Sequence, residues 1–306
     1  MKLLFLIALF ALQLYPVAAF YQSRDSNYNI SVSSAVSYTG PGDVYAFSTW
    51  YGMRAYSAAT RGTRAINLCD DTGANCTDIS TNATTGNLNA PGTLGSNNCN
   101  TSGTCRIKTW YDQTGNTNCA STACDVTQAT NSGRATFLFS CQNSLPCGVF
   151  LGANTYASAN SLTQTSPMTV STVSQRTGAF TSFQFVIGDN FTAGGFGYSS
   201  TSGDASLYSG GDHTAPASNS ATHSIIYYST TVASGASITV DGSATTGLSA
   251  ESGAWSGTVA LGEYNGGAFQ LVGHIMEAGV AGGNQTASNT TMCHNQYLYW
   301  AFGTSC

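Results

Sequence analysis

The stretch from Cys99 to Asn116 constrains this chain most, because it combines a short cysteine loop, a strand and a tight turn within eighteen residues. One face of its central segment carries Cys105, Ile107 and Tyr111, and the other carries Arg106, Lys108 and Trp110. This period of two predicts a half-buried β-strand. A turn is predicted next, because the Asp112 carboxylate can accept a hydrogen bond from the backbone two residues on and Gly115 tolerates a positive φ. The stretch therefore predicts a strand that runs into a fixed loop.

Ten cysteines fall into five closely spaced pairs, which predicts a disulfide framework formed in an oxidising compartment. The predicted disulfides are Cys69–Cys76, Cys99–Cys105, Cys119–Cys124, Cys141–Cys147 and Cys293–Cys306. Each closes a short loop, so each limits local fraying more than it restrains the whole unfolded chain. A zinc site is the alternative, but none of the four histidines completes a recognisable ligand spacing with paired cysteines. No metal or other cofactor is predicted.

The first residues have the composition of a secretory signal. Lys2 precedes an apolar run from Leu3 to Leu12, and Val17-Ala18-Ala19 supplies the small residues that suit signal peptidase. A membrane anchor is the alternative, which is disfavoured because the run is shorter than the ~20 residues that a span requires. We predict a signal peptide at 1–19, an exposed leader at 20–40, one domain at 41–306, and secretion to a cell wall or cell surface.

Seven Asn-x-Ser/Thr sequons predict surface glycans on such a secreted protein. They lie at Asn29, Asn75, Asn82, Asn100, Asn190, Asn284 and Asn289. Only 8% of the residues are charged, and no Lys or Arg follows Arg176, so the second half of the chain carries acids alone. Such a surface cannot neutralise phosphates, which argues against nucleic acid and anionic membranes as partners. An uncharged polymer such as a polysaccharide fits better.

Most of the chain has the pattern of short strands. In the second half, eight β-like runs are separated by Gly, Asn and Ser clusters at the spacing typical of a sandwich or barrel. A strand is also predicted at Arg64–Cys69. The polar tract 77–102 is predicted to be a loop that carries glycans. Helices are predicted only near the two ends, at Ala46–Ala59 and Ala287–Phe302. With no repeat or linker, the chain is expected to form one large all-β domain.

The central stretch resembles the Cys-…-Cys-hydrophobic-Tyr-Asp-Gln-Ser-Gly segment in the catalytic domain of glycoside hydrolase family 54, the fungal-type α-L-arabinofuranosidases. Arg54-Ala55-Tyr56-Ser57 is similar to a segment that opens this domain, and Gly148-Val149-Phe150 matches a later Tyr-Gly-Val-Phe element. The resemblance extends from about Gly40 to Trp300. It implies a concanavalin A-like β-sandwich, a jelly roll like those of the related lectins and glucanases.

The resemblance also implies retaining hydrolysis by a glutamate nucleophile and an aspartate acid/base, whose carboxyl groups lie ~5 Å apart. The nucleophile position of the family falls here at Gly211, beside Asp212. The acid/base position falls at Gly266, and the nearest carboxylate is that of Glu263. Asp212 and Glu263 are therefore the candidate catalytic residues, although each is displaced from its expected place. The adjacent-cysteine pair of the family's active site is also missing.

Other residues are assigned smaller roles. The candidates for stacking against a sugar ring are Trp50, Trp110 and Trp255, although most aromatic residues of a sandwich fill its core. Asp112 and Asp125 are predicted to be acidic residues of a turn or loop. Glu277 matches the Tyr-Glu-Gly position of the family and is predicted to be a hydrogen-bonded structural residue.

Two hypotheses for function follow from this sequence. The displaced carboxylates, the many sequons and the scarcity of charge favour a relative with a degenerate catalytic site and a sugar-binding or structural role, including self-association in an extracellular assembly. The alternative is an active retaining α-L-arabinofuranosidase that acts on arabinose-containing cell-wall polysaccharide, as the family resemblance implies.

Overall fold

A computed structural model of the chain describes residues 38–101, 104–142, 144–165, 167–179, 182–189, 194–200, 204–208, 212–215, 224–231, 235–245, 248, 255–263 and 269–301. The described residues belong to one compact unit. The predicted signal peptide and most of the predicted leader lie outside them. The leader prediction extends too far, because the Tyr38 hydroxyl donates to the carbonyl of Ala55 and the Asn295 amide donates to the carbonyl of Thr39 at 2.8 Å. Residues 38–40 are therefore part of the domain.

Antiparallel strands make up most of the described chain. In chain order they are β1 (Thr49–Gly52), β2 (Arg64–Cys69), β3 (Cys76–Ser80), β4 (Thr93–Leu94), β5 (Asn97–Asn98), β6 (Arg106–Trp110), β7 (Val126–Thr127), β8 (Thr136–Gln142), β9 (Leu145–Leu151), β10 (Tyr156–Ser161), β11 (Met168–Arg176), β12 (Gln184–Asp189), β13 (Gly195–Tyr198), β14 (Ala205–Tyr208), β15 (Asp212–Thr214), β16 (Ser224–Thr231), β17 (Gly235–Val240), β18 (Ser243–Thr245), β19 (Thr258–Leu261) and β20 (Val272–Gly282). One α-helix, α1 (Asn289–Trp300), follows them, and 3-10 turns lie at Pro41–Asp43, Asn131–Gly133 and Thr286–Ser288.

Most of the strands belong to one sheet, which curls so that its two parts pack as two layers. In the first layer β20 pairs along its length with β11, which leads to β16, β17 and β18; the other edge of β20 pairs with β1 and β9, and β9 with β8. The second layer runs β15, β14, β13, β12, β19, β10, β7, and β6 connects it to β8 and β2. Ser174 and Tyr198 hydrogen-bond between β11 and β13 at 2.8 Å, from one layer to the other. The predicted β-sandwich is confirmed.

The helix predicted at Ala46–Ala59 does not form. Its residues include β1, which pairs with Glu277–Val280 of β20. Phe47 also packs its ring against Trp50 at 4.6 Å and against Tyr56 at 6.2 Å. Pairing with β20 and burial of these rings outweigh the weak helical preference of the segment. The predicted C-terminal helix, by contrast, is confirmed as α1.

The polar tract predicted as a loop at 77–102 contains regular structure as well. Most of β3 lies within it, and β4 pairs with β5 in a separate two-stranded ladder. The disulfides Cys69–Cys76 and Cys99–Cys105 lie at its two ends. These covalent links and the pairing with β2 give order to residues that have few apolar side chains to bury.

A β-bulge at Lys108 buries Trp110. Two neighbouring residues of β2 pair with Ile107 and Thr109 of β6, so Lys108 is an extra residue in the ladder. An extra residue reverses the alternation of side chains beyond it, which places Trp110 on the buried face with Ile107 and moves Tyr111 to the other face. The prediction that Ile107 and Trp110 lie on opposite faces is wrong for this reason.

Four of the five predicted disulfides are confirmed. They are Cys69–Cys76, Cys99–Cys105, Cys119–Cys124 and Cys141–Cys147. Cys293 is also disulfide-bonded, and its predicted partner, Cys306, lies outside the described residues.

The described part of the chain has no helix with the length and apolar character needed to cross a bilayer.

Candidate functional site

The sheet register separates the two candidate catalytic residues. Asp212 starts a row of directly paired residues that runs Asp212, Tyr208, Gly195, Gly188, Ala260. Neighbouring strands lie ~4.8 Å apart, so the four steps of this row cover about 19 Å measured along the curled sheet. Glu263 follows three residues after Ala260, and the side chain of Asp212 lies outside the described atoms. The register therefore argues against Asp212 and Glu263 as a catalytic pair, whose carboxyl groups would have to lie ~5 Å apart on either side of the scissile bond.

Glu263 itself is buried at the end of β19, with 6% of its surface exposed. The preceding residue, Gly262, has a φ of 76° and donates its backbone N–H to Val186 in β12 at 2.9 Å. Two further buried carboxylates belong to the same layer, those of Asp189 and Asp204. The two glycines at the family's catalytic positions, 211 and 266, lie outside the described residues.

The three candidate tryptophans are part of the core. Trp50, Trp110 and Trp255 are each 0% exposed. Trp110 packs against Tyr156 at 6.5 Å, and Trp255 stacks on Phe196 at 5.9 Å. A sugar needs an accessible ring face, so burial contradicts the prediction that these residues stack against sugar.

Glu277 is a structural residue, as predicted. It is 0% exposed and accepts hydrogen bonds from the guanidinium of Arg54, from Gln296 at 2.8 Å and from the indole of Trp300 at 2.7 Å. Arg54 also donates to Asn295 at 2.8 Å. This network attaches α1 to β20 and leaves no open side of the carboxylate for a substrate.

Asp112 fixes the loop that follows β6. Its Oδ1 accepts hydrogen bonds from the backbone of Thr114 at 3.1 Å and from the backbone of Trp50 at 3.1 Å. Asp125 accepts the backbone N–H of Asp112 at 2.8 Å. Burial raises the pKa of both carboxyl groups. The predicted turn is confirmed, including the positive φ of 73° at Gly115.

One group of three potential metal ligands occurs among the described residues. Cys141, Cys147 and His274 place their ligand atoms within 4.8 Å of one another. The two cysteines form a disulfide, so neither provides the thiolate that a metal requires. This group is therefore not a metal site.

A groove of about 460 Å³, which no sequence pattern indicates, lies at the ends of β9, β11, β12 and β20. It is lined by Gly152, Gly178, Ala179, Ser182, Gln184, Phe269, Gln270 and Val272. Gln184 fixes its geometry, because this buried side chain donates to the carbonyl of Ala179 at 3.0 Å and accepts the backbone N–H of Val272 at 2.8 Å. None of the lining residues carries a charge.

Arg176 supports the same wall of the groove from inside the sandwich. Its guanidinium donates to the carbonyl of Ala179 at 2.8 Å and to that of Ser199 at 2.6 Å. Burial lowers the pKa of Arg176 to about 10, so the group is charged at neutral pH. The backbone at Ala179 is thereby held by two side chains, Arg176 and Gln184.

Phe269 is the aromatic side chain of this groove and is 40% exposed. In the sequence Phe269 directly follows a Gly-Gly-Ala segment, which only weakly indicates that its ring is exposed in a groove. It follows the segment that matches the family's acid/base position. The groove therefore lies next in the chain to the place where the family resemblance locates catalysis.

No protein-family model matches the sequence, and no curated protein matches it. Solved structures match the fold. An arabinofuranosidase complexed with arabinofuranosyl-α-1,2-xylobiose superimposes with a TM-score of 0.63 and 16% sequence identity, over 84% of this chain and 64% of that chain. A glycoside hydrolase family 54 α-L-arabinofuranosidase soaked with a cyclic sulfate inhibitor gives a TM-score of 0.56 and 15% identity over the same shares. This chain thus spans 64% of the length of each of these structures, and the predicted resemblance is confirmed for the fold.

Proposed function

We propose that this protein is an extracellular, glycosylated carbohydrate-binding β-sandwich that hydrolyses α-L-arabinofuranosides weakly or not at all. The observation that supports this proposal best is the register of the sheet. Retaining hydrolysis requires two carboxyl groups ~5 Å apart, whereas the strands of Asp212 and of Glu263 are separated by β14, β13 and β12, about 19 Å along the curled sheet. General acid/base catalysis alone is worth roughly 10²–10⁴-fold, so a chain without this pair should have little turnover.

The shared fold supports carbohydrate as the ligand class. The solved structures that match it include an arabinofuranosidase complexed with an arabinofuranosyl oligosaccharide. The neutral groove at Phe269 and the scarcity of charge in the chain are also suited to an uncharged glycan. The several disulfides are compatible with secretion.

The proposal is tested by measuring hydrolysis and binding on the same preparation. Turnover of 4-nitrophenyl α-L-arabinofuranoside should be close to the uncatalysed rate, and the variants Asp212→Asn and Glu263→Gln should match the wild type. In native affinity gels, arabinoxylan or linear arabinan should retard the protein. Robust hydrolysis that either variant abolishes would overturn the catalytic part, and the absence of retardation by both polymers would overturn the binding part.

An active retaining arabinofuranosidase is the second candidate. It is favoured by the three buried carboxylates of one layer, Asp189, Asp204 and Glu263, because retaining hydrolysis uses a pair of carboxyl groups. Single Asn or Gln substitutions at these positions separate the two candidates. A loss of more than about 100-fold in turnover from one of them would support the enzyme.

Self-association in an extracellular assembly stays a prediction. Sedimentation velocity over a hundredfold range of protein concentration tests it, since a self-associating protein would show a sedimentation coefficient that rises with concentration.

A further inference from the structure

The backbone at Phe269 has an unusual conformation for an exposed aromatic residue. Its φ is 54°, in the left-handed region that bulky side chains rarely adopt. Such a conformation is energetically costly and persists only where the surroundings determine it. Despite this cost, the side chain is left 40% exposed and does not join the core.

Neighbouring aromatic rings fix the orientation of the Phe269 ring. Phe183 and Phe185 stack in parallel at 6.0 Å, and Phe269 meets both edge-on at 5.9 Å, with interplanar angles of 89° and 88°. The backbone carbonyl of Phe269 accepts the N–H of Phe185 at 3.0 Å. The exposed ring is therefore held in one place before any ligand arrives.

Two glycines, Gly152 and Gly178, line the groove together with this ring. A Cβ atom at Gly178 would lie 2.5 Å from the Val272 side chain, and one at Gly152 would lie 3.0 Å from it. The N–H of Gly178 bonds to the carbonyl of Val272 at 3.0 Å, which brings the two strand ends together. A side chain at either glycine would therefore crowd Val272, another residue that lines the groove.

The rim of the groove offers hydrogen-bonding groups without charge. Within the described part of the chain, the Gln270 amide and the exposed Ser182 hydroxyl make no hydrogen bond, so both can serve a ligand. An aromatic face, an amide and a hydroxyl around a neutral depression match a sugar, which presents an apolar C–H face and a ring of hydroxyl groups.

We propose that Phe269 is the stacking platform of a subsite that binds one sugar residue of a neutral glycan, with Gln270 and Ser182 as its hydrogen-bonding partners. This inference rests on the proposed carbohydrate-binding function. The exposed ring of Phe269 thus takes the stacking role that was predicted for the three buried tryptophans.

The test compares variants of the full chain in affinity gels with arabinoxylan and, separately, linear arabinan. Phe269→Gly removes the ring and is compatible with a positive φ, so its fold should be retained. We expect its binding to be about tenfold weaker, which is a typical effect of losing an aromatic contact. Phe269→Tyr keeps the ring and should bind within about twofold of the wild type, and so should Leu298→Ala, which truncates an exposed apolar residue on α1.

The possible outcomes distinguish failure of the subsite from failure of the proposed function. Wild-type affinity in Phe269→Gly would overturn the subsite and leave the proposed function standing, whereas no binding of the wild type to both polymers would overturn both. Near-UV circular dichroism checks that Phe269→Gly is folded. If it is not, the double variant Gln270→Ala/Ser182→Ala reports on the same groove: about fivefold weaker binding would support the subsite, and unchanged binding would overturn it.

Discussion

Replacing Glu277 with glutamine removes one charge from a buried ion pair while keeping nearly the same shape. Glu277 and Arg54 have side-chain exposures of 0% and 1%. The two oxygens of Glu277 accept hydrogen bonds from Arg54, Gln296 and Trp300. Glutamine has one acceptor oxygen and adds an N–H₂ group, so at least one of these donors loses its partner and the guanidinium loses its counter-charge.

The expected loss of unfolding free energy in Glu277→Gln follows from the cost of an unpaired buried charge. Breaking a buried pair by removing one partner typically destabilises a protein by about 3–5 kcal/mol. The remaining contacts of Arg54, to Asn295 at 2.8 Å and over the ring of Tyr299 at 4.4 Å, offset only part of this loss. The counter-charge matters because burial by itself lowers the pKa of Arg54. The charge and hydrogen bond of Glu277, together with Tyr38 and Tyr299, raise that pKa above its ordinary value. We expect Glu277→Gln to lose about 3 kcal/mol of unfolding free energy, or roughly 10 °C in melting temperature.

A surface ion pair of the same chain provides the matched control. Arg64 and Asp78 approach to 3.4 Å with side-chain exposures of 59% and 38%. Asp78→Asn makes the same chemical change there and should cost less than about 1 kcal/mol, because exposed pairs contribute little. The double variant Arg54→Met/Glu277→Leu should be less destabilised than Glu277→Gln, since it leaves no buried charge unpaired.

Urea unfolding with the disulfides intact measures these differences, provided that all variants share one m-value. Equal shifts of the unfolding midpoint in Glu277→Gln and Asp78→Asn would refute a special cost of the unpaired buried charge. The same conclusion would follow if the double variant were the least stable of the set.

Three further predictions concern modification, acid stability and the covalent framework. In a eukaryotic secretory host, peptide mass spectrometry should find glycan at Asn82 and none at Asn289, because Asn289 is only 5% exposed; glycan on Asn289 in folded protein would contradict this. A hydrogen bond from the Asn75 side chain lowers the pKa of Asp70 to about 2, so its stabilising contribution is complete above the ordinary pKa of about 3.9 and is lost as the pH falls through 2. Urea midpoints should therefore depend less on pH between 4 and 2 in Asp70→Asn than in the wild type, and equal dependence would speak against the assignment. Non-reducing peptide mapping should join Cys293 to Cys306, and any other partner for Cys293 would break the pattern of local disulfides.

Any sequon that carries a glycan must lie on the surface, and the burial of Asn289 argues against its use. Among the described sequons, Asn75 and Asn284 are exposed, Asn82 and Asn100 are half-buried, and Asn289 is buried. Asn29 and Asn190 lie outside the described residues. A tripeptide motif carries no information on burial, which depends here on where the first turn of α1 packs.

Local sequence patterns determined much of this fold. Strand β2 has the predicted bounds, and four cysteine pairs are linked as their spacing predicts. The turn at Asp112 also forms as predicted, with its carboxylate bonded to the backbone of Thr114. These features depend on residues that are close in the chain, so the sequence by itself contains the physical cause.

Features that depend on distant residues were decided by tertiary structure alone. The bulge at Lys108 reverses the face of Trp110 only because β6 pairs with β2 in a shifted register. The groove exists only because turns near Gly152, Gly178 and Phe269 meet at the ends of strands far apart in sequence. Likewise, the separation of the candidate carboxylates is set by how many strands the sheet places between β15 and β19, and no property of either residue encodes that number.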